Sequence, residues 1–347
     1  MNDTLMLTLV CGGVAIASLL ASLLLGRWTI PALHKLKFGQ TILDIGPSWH
    51  KNKQGTPTMG GLFFICAMAF MTIAGILFCE CVLPIKPLTD VTIGFEVQIR
   101  FFAGCGLAFG CGLIGFADDY IKVVKKRNLG LTDKQKLFLQ LLLSAAYATT
   151  LVLTDSDRFF IPFVGMVDFS WWFIPIAMFF IIGMSNATNL TDGVDGLCGS
   201  VTFVAALAML VLSSLANVVL YSAFSIFSAA LAGAIAGYLF YNVHPAKVMM
   251  GDTGSLFIGG ALSALAFGIG HPLLLLPVGI LYIFETLSVI LQVSYFKLTK
   301  GKRLFKMSPI HHHFEMCGWS ENKIVLVFSA VDLCGCIIAV LCAVWLW

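Results

Sequence analysis

Charge is what this chain has least of. Only 11% of its 347 residues are Asp, Glu, Lys or Arg, against about 25% in an average soluble protein, while 59% are hydrophobic. That balance excludes a single water-soluble core, and no segment is left over for a second, soluble domain. Zinc-type cysteine pairs are missing as well. The 11 cysteines are dispersed mainly through apolar runs, which suits small buried hydrophobes, and no disulfide is expected. Internal repeats and low-complexity linkers are absent. The first apolar run has Asp3 ahead of it instead of a basic segment, and no small-residue cleavage signal follows, so it reads as a retained span. A Walker loop is excluded because no Gly-rich stretch ends in Gly-Lys-Ser/Thr.

What fills the chain is apolar runs of bilayer length. A helix crossing about 30 Å of hydrocarbon needs roughly 20 apolar residues. Ten such runs occur, near 5 to 25, 59 to 83, 98 to 117, 136 to 154, 170 to 187, 197 to 215, 218 to 241, 254 to 270, 272 to 296 and 323 to 346. The fold class implied is all-α: a polytopic integral membrane protein with about ten transmembrane helices, residues 1–347 forming one transmembrane domain. One set of alternate loops holds 18 of the 21 Lys and Arg, leaving Lys86, Arg100 and Arg158 for the other side. Cytoplasmic loops carry that excess. The loops near 26–58, 118–135, 188–196, 242–253 and 297–322 are therefore expected in the cytoplasm, forming the active site, with both termini outside. The net charge of +3 belongs to these loops, where Lys and Arg anchor to anionic lipid, and implies no nucleic-acid partner.

Acids number only 18, yet five stand where an apolar run meets a cytoplasmic loop: Asp118 and Asp119 in GFADDY, Asp192 and Asp195 in NLTDGVDGL, and Asp252 in GDTGSL. Taken singly, each has an ordinary account as a water boundary, an Asp-Gly turn or a helix cap. Five at one membrane face point to a site for a cation and something anionic. Adjacent helical residues point about 100° apart, so one of Asp118 and Asp119 should face the cavity and the other its edge or a basic partner. Two carboxylates at a helix C-terminus oppose the helix dipole, a penalty that a bound cation would offset. Asn189, Asp192 and Asp195 share a face if helical, but Gly193 and Gly196 favour a turn. The backbone N–H groups of Thr253, Gly254 and Ser255 are expected to open a helix and to suit phosphate.

In KQGTPTMGG, Thr56 reads as an N-cap and Pro57 as the first helical residue, with Lys53 close enough to pair a phosphate. In SPIHHHFE, His311, His312 and His313 would fan around a helix axis, which disfavours joint ligation of one metal. Contact with a pyrophosphate or sugar fits better beside Lys302, Arg303 and Lys306. Glu285 and Asp332 lie inside spans, where an unpaired charge costs about 2.5 to 3.5 kcal/mol. Both are expected to face the bundle or water and to be hydrogen-bonded.

Taken in order, KQGTPTMGG, GFADDY, NLTDGVDGL, YNVHPAKVMMGDTGSL and PIHHHFE resemble the phospho-N-acetylmuramoyl-pentapeptide transferase family over nearly the whole chain. This family is a branch of the polyprenyl-phosphate sugar-1-phosphate transferases. GTPTMGG, and the histidine run after Pro309 and Ile310, point to the branch. The resemblance implies transfer of phospho-N-acetylmuramoyl-pentapeptide from UDP-N-acetylmuramoyl-pentapeptide to undecaprenyl phosphate in the bacterial inner membrane, releasing UMP and forming lipid I, with Mg2+ as cofactor. It further implies that Asp252 binds the metal, and that Asp118 acts on the lipid phosphate with Asp119 beside it. Asn189, Asp192, Asp195 and Asn242 would line the nucleotide and sugar-phosphate pocket. Lys136, or alternatively Lys134, would reach the nucleotide. Lys53 and Thr56 would lie on the substrate side, and His311, His312 and His313 would flank the substrate. One departure stands out: the family commonly has Phe three residues before the GDTGSL aspartate, stacked on uracil, where this chain has Met249. A thioether packs more adaptably and less like a plane. Oligomeric state is left open, a homodimer included.

Transfer between two phosphates requires charge neutralisation and alignment more than covalent help. A lipid phosphate, with a second pKa of about 6 by analogy to phosphorylated side chains, is already largely ionised, so Asp118 need remove only a residual proton or position the oxyanion. Direct attack on the sugar-side phosphorus is favoured, and a two-step route through a phospho-aspartate is the rival. Two other readings stay open. One is a sister transferase moving N-acetylglucosamine phosphate. The other is a cation-coupled transporter, although transporters gather ionisable groups near the midplane, often with repeats.

Overall fold

The computed structural model describes residues 3–35, 55–83, 86, 88, 94–124, 130–161, 164–217 and 220–346. The apolar runs fold into α1 (Asp3–Lys35), α2 (Gly61–Val82), α3 (Phe95–Val124), α4 (Asp133–Leu153), α5 (Phe173–Thr191), α6 (Leu197–Ala216), α7 (Ser222–Asn242), α8 (Gly251–Gly268), α9 (Leu275–Val278), α10 (Ile280–Leu298), α11 (Ile310–Glu315) and α12 (Glu321–Leu346). Among the described residues nine helices, α1 to α7 with α10 and α12, are long and apolar enough to cross a membrane. The outward faces are apolar too: Ile16, Phe70, Phe179 and Leu341 are each more than half exposed. A protein apolar both inside and outside is surrounded by hydrocarbon.

The expected tenth span, 254 to 270, is α8. It carries Asp252, Thr253 and several Gly and Ser, and it is not lipid-facing: every residue from Thr253 to Gly268 is buried. α8 packs chiefly on α3 and then on α5, while α7, buried from Ser222 to Ile235, packs on α1 and α6. Small residues let these backbones approach. Ser18 and Ser22 of α1 donate to the carbonyls of Ala230 and Ala234 of α7 at 2.7 and 2.8 Å.

Further boundaries differ from expectation, α1 running on to Lys35 instead of ending near 25. α3 does not stop at 117 but continues to Val124, so Asp118 and Asp119 lie within the helix. The apolar stripe ends there, yet Lys122, one turn beyond Asp118, pairs with it and carries the helix on. The run 272 to 296 is broken: α9 and α10 meet at Gly279. There Asp332 of α12 accepts the Leu281 N–H at 3.4 Å, so this intramembrane acid caps an interrupted helix. Between α4 and α5 stands an unforeseen hairpin, β1 (Arg158–Ile161) paired antiparallel with β2 (Gly165–Asp168). Phe159 anchors it against Phe173 and Phe267, at the end of α8 away from the acids.

The helices alternate in direction. The starts of α2, α4, α6 and α8 lie with the ends of α3, α5 and α7, as contacts such as Gly61 N–H to Met250 O and Gly196 N–H to Asn242 Oδ1 record. Close approach is tightest at Gly115 and Gly233, where a Cβ would fall 2.0 Å from the carbonyl oxygens of Asp252 and Ala15 respectively. Gly115→Ala should therefore push α3 from α8 at an overpacking cost of about 1 to 3 kcal/mol, seen as a lowered melting temperature of the detergent-purified protein. Gly106→Ala, with open space around it, should not lower stability and should raise it by up to about 1 kcal/mol through helix propensity.

Candidate active site

The start of α8 is the focus. Its first N–H groups are taken by a carboxylate from α3: Asp119 Oδ2 accepts from the Thr253 N–H at 2.9 Å and the Thr253 hydroxyl at 2.7 Å, and Oδ1 from the Asp252 N–H at 3.3 Å. Of the donors expected to suit phosphate, the Thr253 N–H is thus spent on Asp119, an internal anion placed where the helix dipole favours one, and the Gly254 N–H turns to the Met250 carbonyl. Asp118, one residue earlier and 1% exposed, points elsewhere as the 100° rotation requires. It pairs with Lys122, and its Oδ1 accepts the Leu131 N–H at 2.9 Å.

Asp252 joins the two. Its Oδ2 lies 2.7 Å from Lys136 Nζ and 3.2 Å from Lys122 Nζ, and its Oδ1 accepts from Asn189 Nδ2 at 2.8 Å. Lys136 also stands 3.6 Å from Asp118. A capping box aims it: Thr132 accepts the Gln135 N–H, the Gln135 side chain accepts the Thr132 N–H, and α4 starts at Asp133 with Lys136 on its inner face. Lys134, the alternative, is exposed and faces away. Asn189, on the last turn of α5, also donates to Ser255 Oγ at 2.9 Å.

The turn after α5 brings Asp192 and Asp195 beside this group. Asp192 is pushed well above the usual carboxylate range, first by burial in the packed protein, then by the charges of Asp252, Asp119 and Asp195, against a hydrogen bond from the Gly251 backbone. Asp195 faces a neighbouring group: its Oδ2 lies 3.0 Å from His244 Nδ1 and accepts the Ala246 N–H at 3.0 Å, while His244 also stands 3.5 Å from Glu321. Asn242 is buried and committed to the scaffold, accepting the Gly196 N–H and donating to the Val248 carbonyl and, at 3.7 Å, to Met249 Sδ. Met249 is itself buried. Thr56 does not cap α2. The helix starts at Gly61, after N-cap Gly60, because the Gly60 and Gly61 N–H groups bind the carbonyls of Met249 and Met250, and Pro57 accepts the Met249 N–H at 2.8 Å. Thr56 and Pro57 thus lie on a strand-like stretch against the approach to α8. Lys53 lies outside the described residues.

The three histidines do fan. His311 Nδ1 stands 2.9 Å from Glu285 Oε2, His312 Nδ1 2.6 Å from Glu315 Oε2, and His313 Nδ1 accepts the Lys306 N–H at 3.1 Å. The rings of His311 and His312 pack edge to face, centroids 4.1 Å apart, but each of the three histidines bonds a different partner, and among the described residues the three form no group placed to share one ion.

The sequence compared with known proteins agrees with this constellation. Residues 101–269 match glycosyl transferase family 4, a stretch running from α3 through α8, and residues 53–65 match the phospho-N-acetylmuramoyl-pentapeptide-transferase signature 1. The phospho-N-acetylmuramoyl-pentapeptide-transferase of Bacillus cytotoxicus is 44% identical over 97% of this chain and 98% of its own. That of Acetivibrio thermocellus is 44% identical over 94% and 93%, and that of Clostridium perfringens strain 13 is 45% identical over 93% and 96%. The chain belongs to the phospho-N-acetylmuramoyl-pentapeptide transferase family. It is a transferase and a multi-pass membrane protein.

For the metal that this family implies, the donor set fits. Asp118, Asp119 and Asp252 offer oxygens within 4.8 Å of one another, and an all-oxygen set suits a hard divalent cation. Two residues central to that cluster, Lys122 and Thr253, were not among the expected site residues of the family. The signal for Lys122 was present as the Asp118–Lys122 spacing of four on α3. Glu321 and His244 had no such signal, because their partner Asp195 is distant in sequence. Lys136→Met is expected to cut transfer activity about tenfold or more, the scale of a lost charge-assisted hydrogen bond. Lys134→Met should stay within about twofold, and equal losses in the two purified variants would dissolve the distinction.

Proposed function

We propose that this protein transfers phospho-N-acetylmuramoyl-pentapeptide from UDP-N-acetylmuramoyl-pentapeptide to undecaprenyl phosphate, releasing UMP and forming lipid I. It does so in a Mg2+-dependent reaction at the cytoplasmic face of a bacterial inner membrane, with residues 1–347 acting as one transmembrane domain. The observation that carries this reading is the meeting of Asp118, Asp119 and Asp252 with Lys122 and Lys136 at one end of the bundle. The family membership supports it.

The chain's own groups divide the work. Asp119 fixes the start of α8 and so the position of Asp252. Lys122 and Lys136, now on carboxylates, are the cations within reach of phosphate oxygens brought to the same end. Asp118, paired with Lys122, orients the attacking lipid phosphate oxygen or takes its residual proton. Mg2+, held by Asp252 with Asp118 and Asp119 beside it, would supply charge neutralisation for the phosphates. A carboxylate engaged by two ammonium groups and a backbone N–H is a weak nucleophile, which favours direct attack on the sugar-side phosphorus with UMP leaving. Asn189, Asp192 and Asp195 line the nucleotide and sugar side, with His311, His312 and His313 across from them.

The signature match at 53–65 favours the muramoyl branch over an N-acetylglucosamine phosphate transferase. Acids gathered at one end of the bundle speak against a transporter. In the test, purified protein receives undecaprenyl phosphate and either sugar nucleotide. UMP release is expected from the muramoyl nucleotide alone, to stop with EDTA and to return with Mg2+. Asp118→Asn and Asp252→Asn should each abolish it. Near-normal turnover in Asp252→Asn would remove the metal assignment, and UMP exchange without lipid would favour the phospho-aspartate route.

A further inference from the structure

Among the described residues outside the acid cluster, one ion pair joins two fully buried titratable groups across two elements. Glu285 lies in the second turn of α10 and His311 opens the histidine run of α11, and both are 0% exposed. Their contact, Glu285 Oε2 to His311 Nδ1 at 2.9 Å, uses one atom of each. The other two, Glu285 Oε1 and His311 Nε2, are buried with no hydrogen-bond partner among the described residues. Unmet polar atoms in a membrane protein's interior are costly and are kept where they do something.

The free nitrogen has a definite neighbour. His311 Nε2 lies against Gly193, between Asp192 and Asp195, and a Cβ built on Gly193 would fall 2.3 Å from it. Only glycine lets the loop seat this deeply on the ring. The ring in turn is fixed in rotation by the carboxylate on α10, which when ionised can only accept a hydrogen bond, so that Nδ1 carries the hydrogen whether the imidazole is neutral or charged. We propose that Glu285 is a positioning residue of the transfer site, holding the His311 ring with Nδ1–H on its carboxylate so that the Nε2 edge sets the height of the Asp192–Asp195 loop above the Asp252 cluster. Glu285 touches no reacting atom; it acts through His311 and the loop.

This inference rests on the transfer activity proposed above, and its test separates the two. In the substrate-free protein, solid-state NMR of 15N-histidine, with the His311 signal assigned by its loss in His311→Ala, is expected to show a protonated Nδ1. An unprotonated Nδ1 overturns the proposal whatever the reaction proves to be. In the transfer assay Glu285→Ala should lower kcat about tenfold or more, as loss of a partner that orients a site residue does, with KM for undecaprenyl phosphate within about twofold. Glu285→Gln, which keeps an acceptor for Nδ1–H, should recover most of the rate. The Glu285→Ala/His311→Ala double variant should be no slower than His311→Ala alone. Multiplying losses, or Gln as harmful as Ala, would overturn it. Melting temperatures of each purified variant guard against misfolding, and if Glu285→Ala does not fold, the Gln variant and the NMR result decide. Absence of any transfer by the wild type would instead sink the proposed function and leave the NMR test standing.

Discussion

Burying a carboxylate at the end of a membrane helix is tolerable only if positive charge or aligned dipoles meet it, and that requirement organises one whole end of this bundle. Asp252 sits on the first turn of a helix enclosed by others. To neutralise it, Lys136 must arrive from the start of α4 and Lys122 from the far end of α3, with the Asn189 amide from the end of α5. Each of these elements is long enough to bring one polar group to the Asp252 carboxylate. The continuation of α3 past its apolar stripe and the capping box that begins α4 read as consequences of that demand, as does the burial of α8.

The same logic recurs away from the centre. Asp332 completes the start of α10 after the break at Gly279, Asn242 ties the turns at Gly196 and Val248, and Glu285 meets His311. In hydrocarbon each polar side chain must find its partner inside the protein, and the partners found here are helix ends and turns. The polar interior is accordingly a set of ties between helices, and the acid cluster is its densest knot.

The spans were legible because their signal is length and apolarity, which the bilayer imposes directly on composition. α8 was legible as a run but not as the centre, since burial against protein and burial in lipid leave similar residues behind. Gly and Ser within it were the clue. The cluster of Asp118, Asp192 and Asp252 could be read from the face on which the acids fall. Which of two adjacent aspartates turns inward could be narrowed by helical geometry but not assigned. The Thr56 cap failed because an N-cap preference is local, whereas the carbonyls of Met249 and Met250 that satisfy Gly60 and Gly61 come from nearly 200 positions away. His244 and Glu321 escaped for the same reason: their meeting with Asp195 is made by three helix ends, and no spacing in the chain records it.

The N–H groups at the start of α8 bear most on how the site handles phosphate. A glycine-rich loop opening a helix invites comparison with backbone cradles that bind phosphate through free N–H groups. Here the Asp119 carboxylate occupies those donors, which changes the sign of the local field from attracting anions to requiring cations. Among the described residues, phosphate oxygens brought to this end would be met by Lys122, Lys136 and the ion that the three carboxylates would hold. A cradle of fixed N–H groups binds phosphate before and after reaction with similar strength. Ammonium groups on flexible stems and a divalent ion can follow charge as it moves between two phosphates. Spending the helix N-terminus on an internal acid thus suits a site that must pass a phosphoryl group between two carriers more than one that must merely retain it.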